Sequence, residues 1–169
     1  KKFAMRETDS LEPASYYAVT KCTQTLLCSH IAKQEKKPIV TIRPFAVYGP
    51  YEESKRFVPT LMKALLINKK IDLVSPIIVR DFIYVDDVVD AYLKINELKN
   101  NPGEYFNIGT GLQSTIKDVV ETAIRITGKN IKLKWGNMKN RNWDTSNWVA
   151  DISKARQLLK WAPHTNLEQ

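Results

Sequence analysis

Ser15-Tyr-Tyr17-Ala-Val-Thr-Lys21 opens a run of helix-forming residues that lasts to Lys36-Lys-Pro38, and Ile39-Val-Thr-Ile42-Arg-Pro44 follows at once. Proline lacks the backbone donor a helix needs and crowds the turn before it, so a helix over 15–36 is predicted to stop there. The β-branched run that follows fits a pleated strand, and its lack of alternation fits a buried parallel one. A helix feeding a buried strand is the repeating unit of α/β proteins.

The remainder of the chain continues the alternation. Tyr48-Gly-Pro50 reads as a turn, Phe57–Asn68 as a helix and Asp81-Phe-Ile-Tyr-Val85 as a strand. Asp86 and Asp87 stand where an N-cap is expected, ahead of Val88, Val89, Ala91, Tyr92 and Leu93. Tyr105–Ile108 is a further strand, Ser114–Thr127 a helix ending at Gly128, and Ile131–Trp135 a strand. Asp151-Ile-Ser-Lys-Ala-Arg-Gln-Leu-Leu opens like a capped helix and is stopped by Pro163.

Within the first helix, Tyr17 and Lys21 are four residues apart and share one face. An ammonium beside a phenol stabilises the phenolate and draws the tyrosine down from its usual value of about 10. Such a group gives and takes a proton near neutrality, as hydride chemistry on an alcohol or ketone requires. Spacing alone does not select this pair, because Tyr51-Glu-Glu-Ser-Lys55 repeats it.

Composition narrows the classes. With 169 residues and 43% hydrophobic content the chain can bury a core. No apolar run is long enough for a membrane helix, and the start shows no signal-peptide pattern, so no membrane partner is expected. Cys22 and Cys28 fall roughly 9 Å apart along one helix, beyond disulfide reach. They lack metal-ligand spacing, so no metal site is expected and they read as thiols of a reducing compartment, the cytoplasm. The net charge of +8 suits an anionic partner. The lysines, however, come in scattered pairs such as Lys36-Lys37 and Lys69-Lys70, which is a solvated surface rather than a nucleic-acid track.

Ile108-Gly109-Thr-Gly111-Leu-Gln-Ser114 approaches a dinucleotide-binding G-x-G-x-x-G turn. The third glycine is missing, and Lys134-Trp-Gly-Asn137 stands where an acidic ribose ligand is needed. A tight strand-to-helix turn accounts for the two glycines.

Five segments then fall in a telling order: Tyr17-x-x-x-Lys21, Arg43-Pro-Phe-Ala-Val-Tyr-Gly-Pro50, Arg80-Asp-Phe-Ile-Tyr-Val-Asp-Asp-Val-Val89, Tyr105-Phe-Asn-Ile-Gly-Thr-Gly111, and Asp151-Ile-Ser-Lys-Ala155 with Leu159-Lys-Trp161 and Pro163. Together they resemble the C-terminal half of an extended short-chain dehydrogenase/reductase, in the NAD(P)-dependent nucleotide-sugar epimerase/dehydratase family. The resemblance implies an α/β fold: the second part of a Rossmann-type doubly wound sheet plus a small C-terminal α/β substrate-binding lobe. Residues 1–49 would be the remainder of the dinucleotide-binding domain and 50–169 mainly the substrate lobe, with a returning sheet segment near 77–110.

The same resemblance assigns candidate roles. Tyr17 would exchange a proton with the sugar while the cofactor, NAD or NADP, exchanges a hydride at the same carbon. Lys21 would support the phenolate and hold the nicotinamide ribose, and Pro44 would touch the cofactor. Arg80 and Arg141 would grip the diphosphate of a nucleotide-diphosphate sugar, Trp148 would line the nucleotide pocket, and Ala46 and Arg56, beside Lys55, would face substrate. Ala46 replaces a usual asparagine, and Trp143 replaces a glycine in Arg141-Asn-Trp-Asp144, so the grip on substrate is altered or supplied elsewhere. Asn107 reads as a turn-former or a pocket residue. Only 16 residues precede Tyr17, too few for the family's cofactor-binding first half, its assisting Ser/Thr and the helix that pairs with the tyrosine helix across a dimer. The chain is therefore expected to be a fragment, inactive alone, of a homodimeric enzyme. Epimerase ranks ahead of 4,6-dehydratase and 4-keto-reductase because nothing marks dehydration. Other readings are a non-catalytic nucleotide-sugar-binding module and, on charge alone, a nucleic-acid binder.

Overall fold

The computed structural model describes residues 3–98, 101–139 and 147–169. The chain runs α1 (Tyr16–Gln34), β1 (Thr41–Pro44), β2 (Ala46–Tyr48), α2 (Phe57–Leu66), β3 (Ile71–Asp72), β4 (Val79–Arg80), β5 (Phe82–Tyr84), α3 (Val85–Ile95), β6 (Tyr105–Ile108), β7 (Ser114–Thr115), α4 (Ile116–Thr127) and β8 (Leu133–Lys134). A π-helical turn at Ala155–Leu159 closes it. The architecture is the α/β alternation expected from the sequence.

The termini of the helices follow local chemistry. Ser15 caps α1, its hydroxyl accepting from the Ala18 amide at 3.1 Å. Thr115 and Asp118 form a reciprocal capping box on α4, which ends at Gly128 in the left-handed conformation. Three expectations need correction. Asp86 and Asp87 do not cap α3: Tyr84 occupies the cap position, and both carboxylates lie in the first turn, where they meet the positive end of the helix dipole. The strand expected over Ile39–Ile42 is displaced to Thr41–Pro44, because strand length is set by its partner β6. The segment after Asp151 is a π-helical turn ended by Lys160 in the left-handed conformation, three residues before Pro163. Asp151 still accepts from the Ser153 amide, as a cap would.

β1 and β2 form one extended stretch that changes partner at Phe45. β1 pairs in parallel with β6, Thr41 opposite Tyr105 and Pro44 opposite Ile108. β2 pairs in parallel with β5, Ala46 opposite Phe82. Phe45 donates its amide to Ile108, and Ala46 donates to Asp81. β3–β8 is a further parallel pair and β4–β7 an antiparallel one. The described strands thus form four two-stranded ladders.

Two apolar cores result. One gathers Ile42, Ile83, Val88, Ala91, Phe106 and Ile108 around Trp161, whose indole N–H donates to the Asp87 carbonyl at 3.1 Å. The other packs α2 and α4 over β3 and β8 through Leu61, Leu65, Ile71, Val120 and Ile131. Asn107 resolves as structural: its side chain donates to the Met5 carbonyl at 2.9 Å, and its amide donates to Glu7 at 2.7 Å. Both bonds fasten the segment before α1 onto β6.

The Gly109-Thr-Gly111 turn is not a phosphate cradle. Its Thr110 and Gly111 amides donate to the Asp81 carboxylate at 2.7 and 3.1 Å. A Cβ at Gly109 would stand 2.6 Å from Asp81 Oδ2, so only glycine admits this carboxylate. An internal anion already occupies the turn, which disposes of the dinucleotide reading there.

Candidate active site

The helix that carries Tyr17 is positioned by its far half. Thr25 and Ala32 are its buried residues, and the Ser29 hydroxyl donates to the Gly103 carbonyl at 2.7 Å, just ahead of β6. From Ser29 back to Tyr17 the helix rises roughly 18 Å, at 1.5 Å per residue. β1 advances only about 10 Å from Thr41 to Pro44 at 3.3 Å per residue. Since α1 runs back against β1, Tyr17 stands at or beyond the carboxyl ends of β1 and β6. Parallel α/β sheets hold their ligands along that edge.

There Tyr17 and Lys21 project on one face, with Lys21 Nζ 5.8 Å from the tyrosine ring centroid. Lys21 also donates to Gln24 at 3.2 Å. Tyr17 is 71% exposed, and its hydroxyl has no hydrogen-bond partner among the described residues. A phenol and an ammonium both turned to solvent are what a nicotinamide cofactor and its substrate require here, so the residues present fit the implied cofactor. Pro44, exposed at the end of β1, borders the same edge. Tyr51 and Lys55 lie outside any helix, and Tyr51 adopts a left-handed φ of 67°, so their shared spacing has no face to place them on.

The second constellation lies where β4 meets the segment 147–150. The Arg80 guanidinium sits 5.4 Å from the Trp148 ring centroid and donates to the Val79 carbonyl at 2.7 Å. Trp148 packs edge-on against Phe45, with ring centroids 6.2 Å apart. Its amide donates to Gln113 at 3.2 Å. An indole beside a guanidinium supplies a stacking face and a phosphate-binding fork. Two residues chosen from sequence are thereby brought together. Arg141 lies outside the described residues.

Ala46, half-buried at the start of β2, is held by its backbone and presents only a methyl group. Beyond β2 a cavity of about 340 Å³ is lined by Tyr48, Gly49, Pro50, Tyr51, Glu52, Arg56 and Val85, among others. Gly49 has φ +145°, and a Cβ there would meet Val85 at 2.6 Å, so the cavity floor demands glycine. Arg56 precedes α2 and pairs with Glu52 at 3.4 Å. Burial raises the Glu52 carboxyl above its ordinary value, and Arg56 only partly opposes it. Burial also raises the Tyr48 phenol, with the Asp87 charge and Tyr84 acting in the same direction.

Residue-by-residue reading missed Phe45, Asp81 and Glu52. An aspartate in the otherwise apolar Asp81-Phe-Ile-Tyr-Val85 run was the available signal for one; nothing in the sequence marked the other two. Among the described residues no group of histidine, cysteine and acidic side chains could hold a metal. Cys22 and Cys28 are unbridged, and among the described residues no helix is long and apolar enough to cross a membrane.

The fold is an α/β one that carries an exposed Tyr-Lys pair at the carboxyl edge of parallel strands and a separate Arg-Trp pair. The chain belongs to the NAD dependent epimerase/dehydratase family, whose model matches residues 2–109. It is 35% identical, over 99% of its own length and 53% of the relative's, to the uncharacterized UDP-glucose epimerase YtcB of Bacillus subtilis (strain 168). It is 28% identical to the dTDP-D-glucose 4,6-dehydratase of Homo sapiens, over 85% of its length and 38% of that protein's. Among solved structures it resembles UDP-glucuronic acid 4-epimerase from Bacillus cereus, in complex with UDP-glucuronic acid and NAD, with a TM-score of 0.91 and 33% identity. That match covers 99% of this chain and 54% of the epimerase. The chain thus spans about half the length of the relatives it matches first.

Proposed function

We propose that the native protein is an NAD(P)-dependent nucleotide-sugar epimerase of carbohydrate biosynthesis, acting in the cytoplasm on a nucleotide-diphosphate sugar. The observation that carries this reading is the exposed Tyr17–Lys21 pair at the carboxyl edge, in a chain of this family. When bound, the nicotinamide supplies the acceptor and donor of a hydride. Tyr17 takes the proton from the sugar hydroxyl oxygen and returns it there. Lys21, with Pro44, borders the cofactor. Arg80 and Arg141 neutralise the diphosphate with Arg56 near it, Trp148 flanks the nucleotide, and Ala46 faces the substrate. Such gripping holds the reacting carbon beside Tyr17 without adding to the chemistry.

The native protein is further proposed to be a homodimer joined through α1. Tyr16, Val19, Leu26 and Leu27 are all exposed and fall on the face opposite Thr25 and Ala32. Light scattering should give twice the protomer mass.

The functional test is incubation of the native protein and NAD with UDP-glucose, UDP-glucuronic acid and dTDP-glucose, followed by NMR. Inversion at sugar C4 is expected. Loss of water would make it a dehydratase, like its human relative, and no change in any of the three would sink the reading.

A further inference from the structure

Asp81 is fully buried, yet it carries a carboxylate in the centre of the fold. Burying a charge is costly unless hydrogen bonds replace its water. Four donors do so here. Oδ1 accepts from the Thr110 amide at 2.7 Å and the Thr110 hydroxyl at 2.6 Å; Oδ2 accepts from the Gly111 amide at 3.1 Å and the Ala150 amide at 3.0 Å. The donors come from two segments far apart in sequence. One is the turn after β6; the other ends two residues beyond Trp148. Asp81 itself is the next residue after Arg80, and its own carbonyl accepts from the Ala46 amide at 2.9 Å.

We propose that Asp81 is a positioning residue for substrate: its carboxylate ties the Trp148 segment and the Thr110–Gly111 turn to the strand bearing Arg80, and so sets the Arg80–Trp148 spacing that receives the nucleotide diphosphate. The proposal rests on the nucleotide-sugar reading above. The Trp148 segment, the turn after β6 and the strand bearing Arg80 all meet on this one side chain, in addition to the β4–β7 ladder and the Trp148–Gln113 bond, and each borders a residue of the proposed grip. Replacing Oδ2 by an amide nitrogen leaves the amides of Ala150 and Gly111 without their acceptor. The 147–150 segment then keeps its Met5 bridge and Gln113 bond but loses its tie to the strand bearing Arg80.

The same chain provides a matched control. Asp87 is also a buried carboxylate satisfied by backbone amides, those of His164 at 2.9 Å and Thr165 at 3.0 Å. Those bonds anchor the C-terminal tail and touch neither Arg80 nor Trp148. Asp81→Asn and Asp87→Asn therefore each leave buried backbone amides short of an acceptor, with different consequences for the grip.

Both variants of the native protein would be assayed with UDP-glucose and followed by amide hydrogen exchange. For Asp81→Asn, KM is expected to rise about ten-fold, with kcat falling by less than about three-fold. Exchange should accelerate at 147–150 and 110–111. Asp87→Asn should lower the melting temperature, accelerate exchange at 164–165, and leave KM where it was. An unchanged KM in folded Asp81→Asn, or an equal rise in both variants, overturns the proposal. Should Asp81→Asn fail to fold, Thr110→Val decides: it removes the hydroxyl bonds to Asp81 and to Leu112 within the turn but keeps the Thr110 amide bond to the carboxylate. A KM raised about three-fold then supports the role, and no rise refutes it. If the native protein binds no nucleotide sugar, the functional reading fails by itself. The exchange data still judge the positioning: amides at 147–150 that stay protected in Asp81→Asn overturn it.

Discussion

The Tyr17 end of α1 and the Arg80–Trp148 cluster stand in opposite states of completion. At Tyr17 the helix is in solvent: Tyr17 is 71% exposed and Tyr16 95%, while Val19, Leu26 and Leu27 are exposed on other faces of α1. Beside Arg80, Trp148 and Ala150 are tied through Phe45, Gln113 and Asp81 into the chain's own hydrogen bonds and packing. The Arg80–Trp148 cluster is held by this chain's own bonds, whereas the Tyr17–Lys21 pair is turned to solvent. Apolar surface of this kind marks a place of contact.

The sharpest way to break that comparison is Tyr17→Phe in the native protein. Turnover should fall by about 10²–10⁴-fold, the usual contribution of an acid/base group, with an unaltered melting temperature. Near-normal activity would remove Tyr17 from the chemistry. Next comes the buried side: Trp161→Ala should cost about 3–5 kcal/mol in denaturant unfolding, since Trp161 is 1% exposed at the centre of one core. A loss below about 1 kcal/mol would show that this core is loosely packed. Arg80→Ala is expected to weaken nucleotide-sugar binding by about 1.5–3 kcal/mol in calorimetry, in the range of hydrogen bonds to a charged group. Unchanged affinity would detach Arg80 from the diphosphate.

The smallest effects are pH-dependent and of opposite sign. Hydrogen bonds from the Thr115 amide and hydroxyl region hold Asp118 below the ordinary carboxylate range, and those at Ser153, with Arg6, do the same for Asp151. A depressed native value adds stability above the unfolded value, and this is lost as pH falls through the native one. Glu52 is raised by burial, so its contribution is present below its ordinary 4.5 and is lost as pH rises through the native value. Stability profiles should therefore flatten on the acid side in Asp118→Asn and Asp151→Asn, and just above pH 4.5 in Glu52→Gln. The same flattening in all three would contradict the assigned causes.

Much of the fold was legible because its signals are local. Ser15 and Thr115 cap helices with their own hydroxyls, Gly128 ends α4 where a left-handed residue is needed, and Tyr105–Ile108 forms the strand its composition indicates. The misplaced features involve competition with distant partners. Asp86 and Asp87 look like caps, but Asp87 is held instead by the amides of His164 and Thr165. The Gly109–Gly111 turn looks like a phosphate cradle, but Asp81 fills it.

By itself, then, the amino-acid order determined where the helices α1 to α4 and the strands β5, β6 and β8 lie, the face shared by Tyr17 and Lys21, and the family. Spacing of three or four residues sets helical neighbours, and single residues set local dihedral angles. Only the tertiary structure decided that Phe45 switches β1–β2 from one partner to another, that Arg80 meets Trp148, and that Asp81 joins them. Those meetings depend on closing long loops and on satisfying a buried charge, which no local pattern encodes.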